Sequence, residues 1–181
     1  MTVGRFIAVV GPSGVGKDSV MDGLCARCPD VLRVRRDITR APEQGGEDYT
    51  AISDAEFEMR ASAGVYALHW GAHDLRYGIP QSVFAELEAG RDILANLSRS
   101  VLGEAAQRFE RVLVLHITTR PEVLAARLAG RGRESVEEIA RRLSRPSQPL
   151  PEHLNIIEID NSGPLDVAVE KAAQALFPVT A

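Results

Sequence analysis

Gly11-Pro-Ser-Gly-Val-Gly16-Lys17 follows directly on the apolar run Arg5-Phe-Ile-Ala-Val-Val10, and no other stretch of the chain restricts its fold as strongly. A short continuous apolar run bounded by glycine reads as a buried parallel strand. Glycines let successive backbone N–H groups converge on an anion, and the helix predicted from Lys17 to Arg27 adds its positive N-terminal end. Strand, glycine loop, lysine and helix in this order form a phosphate-binding loop (P-loop) pattern. The pattern assigns Gly11, Pro12, Ser13, Gly14, Val15 and Gly16 to a nucleotide cradle, with Lys17 reaching the β- and γ-phosphates of ATP. Asp18 stands where Ser or Thr ordinarily meets Mg²⁺, and Ser19 is next. Either can serve the ion, or Asp18 can simply favour the helix start, as any early carboxylate does.

The rest of the chain continues the alternation. Strands are predicted over Val31–Arg36, Val65–Trp70, Arg91–Leu97, Val112–Thr118 and Leu154–Asp160. Helices are predicted from Ser53, over Pro80–Ala89, Arg99–Phe109, Pro121–Ala129 and Ser135–Arg145, and over Pro164–Phe177. Strands alternating with helices imply an α/β fold of the P-loop NTPase type, a parallel sheet flanked by helices. From Asp37 to about Pro80 the chain turns polar and is broken by glycines and Pro42, which reads as a functional insertion. Gly130-Arg-Gly-Arg133 interrupts the helical pattern near the other end and makes an arginine-rich lid over about 130–145.

Size and composition exclude several classes. A chain of 181 residues is expected to be one domain, 1–181, able to bury a core without disulfides or structural metal. With 45% hydrophobic and 25% charged residues it has no apolar stretch near the roughly 20 residues of a membrane span. Met1 to Val10 holds one basic residue and a short apolar run, not the pattern of a secretory signal, so the cytoplasm is the expected compartment. A net charge of −4 argues against a nucleic-acid partner. Only Lys17 and Lys171 are lysine, so nearly all positive charge rides on guanidinium groups, which suit bidentate phosphate recognition. Cys25-x-x-Cys28 sits near the end of the first helix and far from His69 and His73, so free thiols are expected rather than a redox or zinc site.

The order of further motifs is specific. After the loop come Ile38-Thr-Arg40 with Gly46-Glu47 and Tyr49, then Trp70 and Tyr77-Gly78, then Arg131-Gly-Arg133. Across almost its whole length the chain resembles the guanylate kinase family, in which an insertion closes over a nucleoside monophosphate and an arginine-bearing lid over ATP. The resemblance implies that Arg40, Tyr49 and Tyr77 grip an acceptor phosphate, and that Arg131, Arg133 and Arg142 approach the transferring group.

The departures are informative. Where that family has a second arginine, this chain has Glu43, and Ile79 follows the Tyr-Gly pair. Where the family reads guanine with carboxylates, His69 and the segment Asn96-Leu-Ser98-Arg99 stand. Exchanging acids for Asn96, Ser98 and Arg99 trades acceptors for donors and favours a further anionic group on the acceptor. His69-Trp70-x-x-His73, Tyr77-Gly-Ile-Pro80, Asn96-x-Ser98-Arg99 and Arg131-Gly-Arg-Glu134 resemble the ribose 1,5-bisphosphate phosphokinase branch, associated with phosphonate breakdown and with formation of 5-phosphoribosyl 1-diphosphate. That branch implies ATP, Mg²⁺ and a sugar bisphosphate as partners, with guanylate kinase and a non-catalytic interaction module as the rival readings. His69 and His73 equally suit structural roles, Trp70 suits core packing, and alternation puts only one of Arg35 and Arg36 on a given face. An arginine at position 99, where a helix starts, opposes the helix dipole and calls for another reason to be there.

Overall fold

The computed structural model describes residues 2–42 and 47–178. Its first strand, β1 (Phe6–Val10), is completely buried, and the loop after it leads into α1 (Lys17–Arg27). The chain then runs through β2 (Leu32–Arg33), β3 (Asp37–Ile38), β4 (Thr50–Ala51) and α2 (Asp54–Ser62) to β5 (Tyr66–Ala72) and β6 (Leu75–Pro80). Next come α3 (Val83–Glu88), β7 (Ile93–Asn96), a short 3₁₀ turn (Arg99–Val101) and α4 (Leu102–Arg108). β8 (Val112–Thr118), α5 (Pro121–Gly130), α6 (Val136–Leu143), β9 (Asn155–Asp160) and α7 (Leu165–Leu176) complete the described chain.

β1 is central in a five-stranded sheet of order β2-β7-β1-β8-β9, whose pairings are all parallel. Strict alternation divides its side chains. Ile7, Val9, Leu94 and Leu115 face α1 and α7. Phe6, Ala8, Val10, Ala95 and Val114 face α3, α4 and the polar segment, with Phe6 stacked on Phe109 at 3.9 Å. A parallel sheet covered on both faces explains why its strands read as continuous apolar runs.

The polar segment builds a second sheet of order β4-β3-β6-β5, antiparallel except where β3 meets β4, with α2 beside it. β6 was not foreseen. Pro80 ends it rather than starting the helix expected over Pro80–Ala89, and α3 begins only at Val83. Pro80 is tolerated because it ends the strand, where its missing N–H costs no ladder bond. His73 and Asp74, with φ of 53° and 60°, turn the chain from β5 into β6 in the manner of a two-residue hairpin. The predicted strand over Val31–Arg36 pairs only at Leu32–Arg33. It stops early because the chain crosses to the second sheet at Asp37.

Buried Asp37 ties α2 to that sheet. Its Oδ2 accepts from Arg60 and from the Tyr66 hydroxyl, both at 2.7 Å, and burial beside this carboxylate raises the Tyr66 pKa. α5 and α6, the helix of the lid, pack on each other through a small core of Leu124, Leu128 and Ile139. Ser135 and Glu138 close a capping box at the start of α6, after the turn at Gly132. Among the described residues no helix is long and apolar enough to cross a membrane.

Gly78 has a packing reason as well as a place in a motif: a Cβ there would lie well inside van der Waals contact of the Tyr66 ring. Gly78→Ala is expected to displace Tyr66 and lower unfolding free energy by about 1–3 kcal/mol in urea titrations. Gly71→Ala, whose Cβ would meet nothing closer than 3.7 Å, is the control and should change stability little.

Candidate active site

A cleft of ≈ 1100 Å³ opens at the carboxyl edge of the parallel sheet, between the loop after β1, the second sheet and the lid. Open α/β sheets bind ligands at this edge, because crossovers to opposite faces leave a crevice there. Gly11 to Gly14, Gly16, Lys17, Asp18 and Ser19 form one wall. Gly16 has φ 98°, a conformation suited to glycine, and a Cβ on it would sit 2.5 Å from Asn161 Nδ2. Asn161 donates 2.9 Å to the Val15 carbonyl, Arg127 donates 3.1 Å to the same oxygen, and Arg127 also holds the Asn161 carbonyl at 2.7 Å. These bonds fix the loop from behind. Val15 is buried in the core and is not a wall residue, so its share in the cradle is backbone shape.

Lys17 Nζ donates to the carbonyls of Gly11 (2.7 Å) and Pro12 (3.1 Å), so the ammonium lies folded across the loop. Burial lowers its pKa to about 8; Arg36 and Arg131 push the same way, while Asp18 and Glu47 oppose them. Asp18 is already engaged. One of its oxygens pairs with Arg33 at 2.6 Å, and Arg33 also reaches Asp22. No cluster of three or more His, Cys, Asp or Glu side chains exists among the described residues to hold a metal alone. The residues fit magnesium only in the usual phosphate-bound manner, in which one or two protein oxygens complement phosphates and water. Asp18 and Ser19 lie where such a ligand is needed, in the cleft wall at the first turn of α1.

The facing wall gathers Arg40, Trp70, His73, Tyr77, Asn96, Ser98 and Arg99. Trp70 combines both roles weighed for it: it is buried, and it stacks on Tyr77 at 5.4 Å within the cleft lining. Two residues expected at this wall are elsewhere. His69 is exposed on the opposite face of β5, against Phe57 and Tyr66, because successive strand residues alternate sides. Tyr49 is buried behind Arg40, its hydroxyl donating to the Ala41 carbonyl and its ring 5.3 Å from the Arg40 guanidinium. It supports Arg40 rather than lining the cleft. Glu43 and Gly46 lie outside the described residues.

Arg131, Arg133 and Arg142 line the cleft from the lid. Arg142 pairs with Glu134 at 2.6 Å, while Arg131 and Arg133 are exposed.

Three participants were not read from the sequence. Arg36 is buried in the cleft wall, bidentate to Glu47 at 2.8 and 2.6 Å, bonded to the Asn96 carbonyl and 4.9 Å from the Tyr77 ring centre. The Arg35-Arg36 pair was the available signal, and the partner Glu47, eleven residues on, decides between them. Gln148 enters the wall from the segment after α6, accepting from Arg99 through its carbonyl at 2.7 Å. His116, hidden in an apolar strand run, meets Arg99 through Nε2 at 2.9 Å. Burial lowers the His116 pKa, Arg99 adds to that, and Glu158 opposes it.

The guanylate kinase family model matches residues 3–177. Ribose 1,5-bisphosphate phosphokinase PhnN of Ruegeria sp. (strain TM1040) is 55% identical over 170 residues, covering 93% of this chain and 90% of that protein. The protein of the same name from Agrobacterium fabrum is 44% identical over 177 residues, covering 96% and 94%. A bifunctional ribose 1,5-bisphosphokinase-thymidine phosphorylase of Cupriavidus necator is 43% identical over 96% of this chain, which spans 29% of its length. Among solved structures, guanylate kinase from Anaplasma phagocytophilum superposes with a TM-score of 0.73 at 19% identity, over 97% of this chain and 85% of its own. That likeness carries the fold, and the closer sequence matches carry the branch. The chain belongs to the guanylate kinase family, among its ribose 1,5-bisphosphate phosphokinase relatives.

Proposed function

We propose that this chain, acting as one kinase unit in the cytoplasm, transfers the γ-phosphoryl group of ATP to ribose 1,5-bisphosphate, giving 5-phosphoribosyl 1-diphosphate and ADP. The charge balance of the cleft carries the reading. Lys17, Arg36, Arg40, Arg99, Arg131, Arg133 and Arg142 line it, against only Asp18 and Glu47 among the described acids. Both acids are paired with arginines, Asp18 with Arg33 and Glu47 with Arg36. A guanine site needs an acceptor free to take the base's N–H groups, and among the described residues no uncommitted carboxylate lines this wall. A base-free acceptor with two phosphates matches what is present: cations and neutral donors at Asn96 and Ser98. The names of the similar proteins support the same acceptor.

The nucleophile is a phosphate oxygen, anionic at neutral pH, so no general base is needed. Catalysis reduces to positioning and charge neutralisation. The loop amides and Lys17 hold the donor phosphates. Arg40, Tyr77, His73, Asn96, Ser98 and Arg99 hold the acceptor. Arg131, Arg133 and Arg142 come to the transferring group from the lid, and lid closure excludes water that would compete as acceptor. Asp18 or Ser19 would hold Mg²⁺, whose charge would offset that of the donor phosphates.

The acceptor is tested by following ADP release with ribose 1,5-bisphosphate and GMP offered separately. Efficient turnover is expected with the bisphosphate and little with GMP; the reverse would make the chain a guanylate kinase, and turnover with neither would favour a non-catalytic module. Arg133→Ala should lower kcat by on the order of 10³ with little change in ATP affinity, as an arginine acting in the transition state does. Weaker ATP binding at unchanged kcat would make Arg133 a ground-state anchor.

Lys17 gives a pH test. Its protonated form binds phosphate, and in the free protein that form is lost as pH rises through about 8. ADP affinity by calorimetry is therefore expected to stay level below that pH and then weaken by up to about tenfold per pH unit above it, until the raised pKa of the complex is reached. Lys17→Met should bind more weakly throughout and remove this dependence.

A further inference from the structure

Arg99 is an unusual cation. It opens the 3₁₀ turn that leads into α4, where the dipole disfavours positive charge, and burial lowers its pKa with no acidic neighbour acting against it. A half-buried guanidinium ordinarily finds a carboxylate. Both of its bonds here go to uncharged acceptors, the Gln148 carbonyl at 2.7 Å and His116 Nε2 at 2.9 Å. Among the described residues no carboxylate offsets its charge, while its orientation is fixed from two sides.

His116 can accept at Nε2 only when that nitrogen carries no hydrogen, which puts the proton on Nδ1. Nδ1 lies 3.3 Å from a carboxylate oxygen of Glu158. Parallel pairing makes this contact, since His116 and Glu158 are register partners in β8 and β9. On its other side His116 pairs in register with Val10, the residue immediately before the phosphate-binding loop. The relay therefore runs from β9 through β8 to Arg99, beside the donor cradle, and ends on the segment that follows the lid helix.

We propose that His116, held in its Nδ1–H form by Glu158, is a positioning residue for the acceptor: it orients Arg99 through a neutral contact and so leaves the guanidinium charge for an acceptor phosphate. A carboxylate at position 116 would hold Arg99 at least as firmly but would neutralise it and repel the anionic acceptor. An apolar residue would leave Arg99 unoriented. The chemistry asked of position 116 is an acceptor without charge. This inference rests on the ribose 1,5-bisphosphate reading and assigns a residue pair to one end of that substrate.

Steady-state kinetics of ADP release, with each substrate varied in turn, separate the possibilities. His116→Gln, whose amide oxygen can take the place of Nε2, should keep KM for ribose 1,5-bisphosphate within a few-fold of the unmodified chain. His116→Phe and His116→Glu should each raise that KM by on the order of tenfold or more, with KM for ATP little changed. Should His116→Phe fail to fold by circular dichroism, His116→Glu carries the test, since it keeps an acceptor and changes only charge. Glu158→Ala, on an exposed side chain, should move acceptor KM in the same direction by a smaller factor. A His116→Gln variant as impaired as His116→Phe, an acceptor KM unmoved by His116→Glu, or equal effects on both substrates would overturn the role of His116 while leaving the function standing. An unmodified chain that does not turn over ribose 1,5-bisphosphate would overturn the function and this inference with it.

Discussion

Seven cationic side chains line one cleft, and the fold has to hold them there against their mutual repulsion. Six of them are managed in four ways. Lys17 lies across the Gly11 and Pro12 carbonyls and yields part of its proton affinity, its pKa falling to about 8. Arg36 is neutralised by Glu47, and Arg142 by Glu134. Arg131 and Arg133 are exposed on the lid, where water screens them. Arg99 is steered by an imidazole and a carbonyl without losing its charge. Excess positive charge of this kind is tolerable in a protein of net charge −4 because it is local, and it focuses polyanionic ligands on the cleft.

The scaffold answers that constraint by drawing wall residues from separate, rigidly supported elements. The donor cradle hangs from the most buried strand and is fixed from behind by Asn161 and Arg127. The facing wall takes Trp70 and Tyr77 from the second sheet, which packs into the same core cluster as β1 through Trp70, Tyr77 and Ile79, and Asn96, Ser98 and Arg99 from the end of β7 and the turn after it. The lid arginines lie around α6, which packs on α5 through the small cluster of Leu124, Leu128 and Ile139, and α5 is tied to the loop by Arg127.

Much of the parallel sheet was legible in the chain. β1 and β8 are long apolar runs, and α1 is bounded by Gly16 and Cys28 as its loop context implied. β3, β4 and β6 were not legible, since their two to six residues are polar or carry Gly78 and Pro80, and they are strands only through pairing with one another. The same division holds in the cleft. Residues inside contiguous motifs, such as the loop, Asn96-x-Ser98-Arg99 and Arg131-Gly-Arg133, line it together. His69 does not, because one residue's shift along a strand changes faces.

By itself the amino-acid sequence determined the phosphate-binding loop pattern and the alternating α/β order, because each is written in neighbouring residues and depends on local backbone geometry or residue type; the lid and the missing guanine-reading carboxylates were legible only through the resemblance to the guanylate kinase family. Only the tertiary structure decided which arginines have a carboxylate offsetting their charge. Arg33 takes Asp18, Arg36 takes Glu47, and Arg99 meets His116, contacts that span 11 to 17 residues and several elements. A guanidinium's role depends on whether its partner is charged, and partners are chosen by the packing of strands that no local pattern pairs.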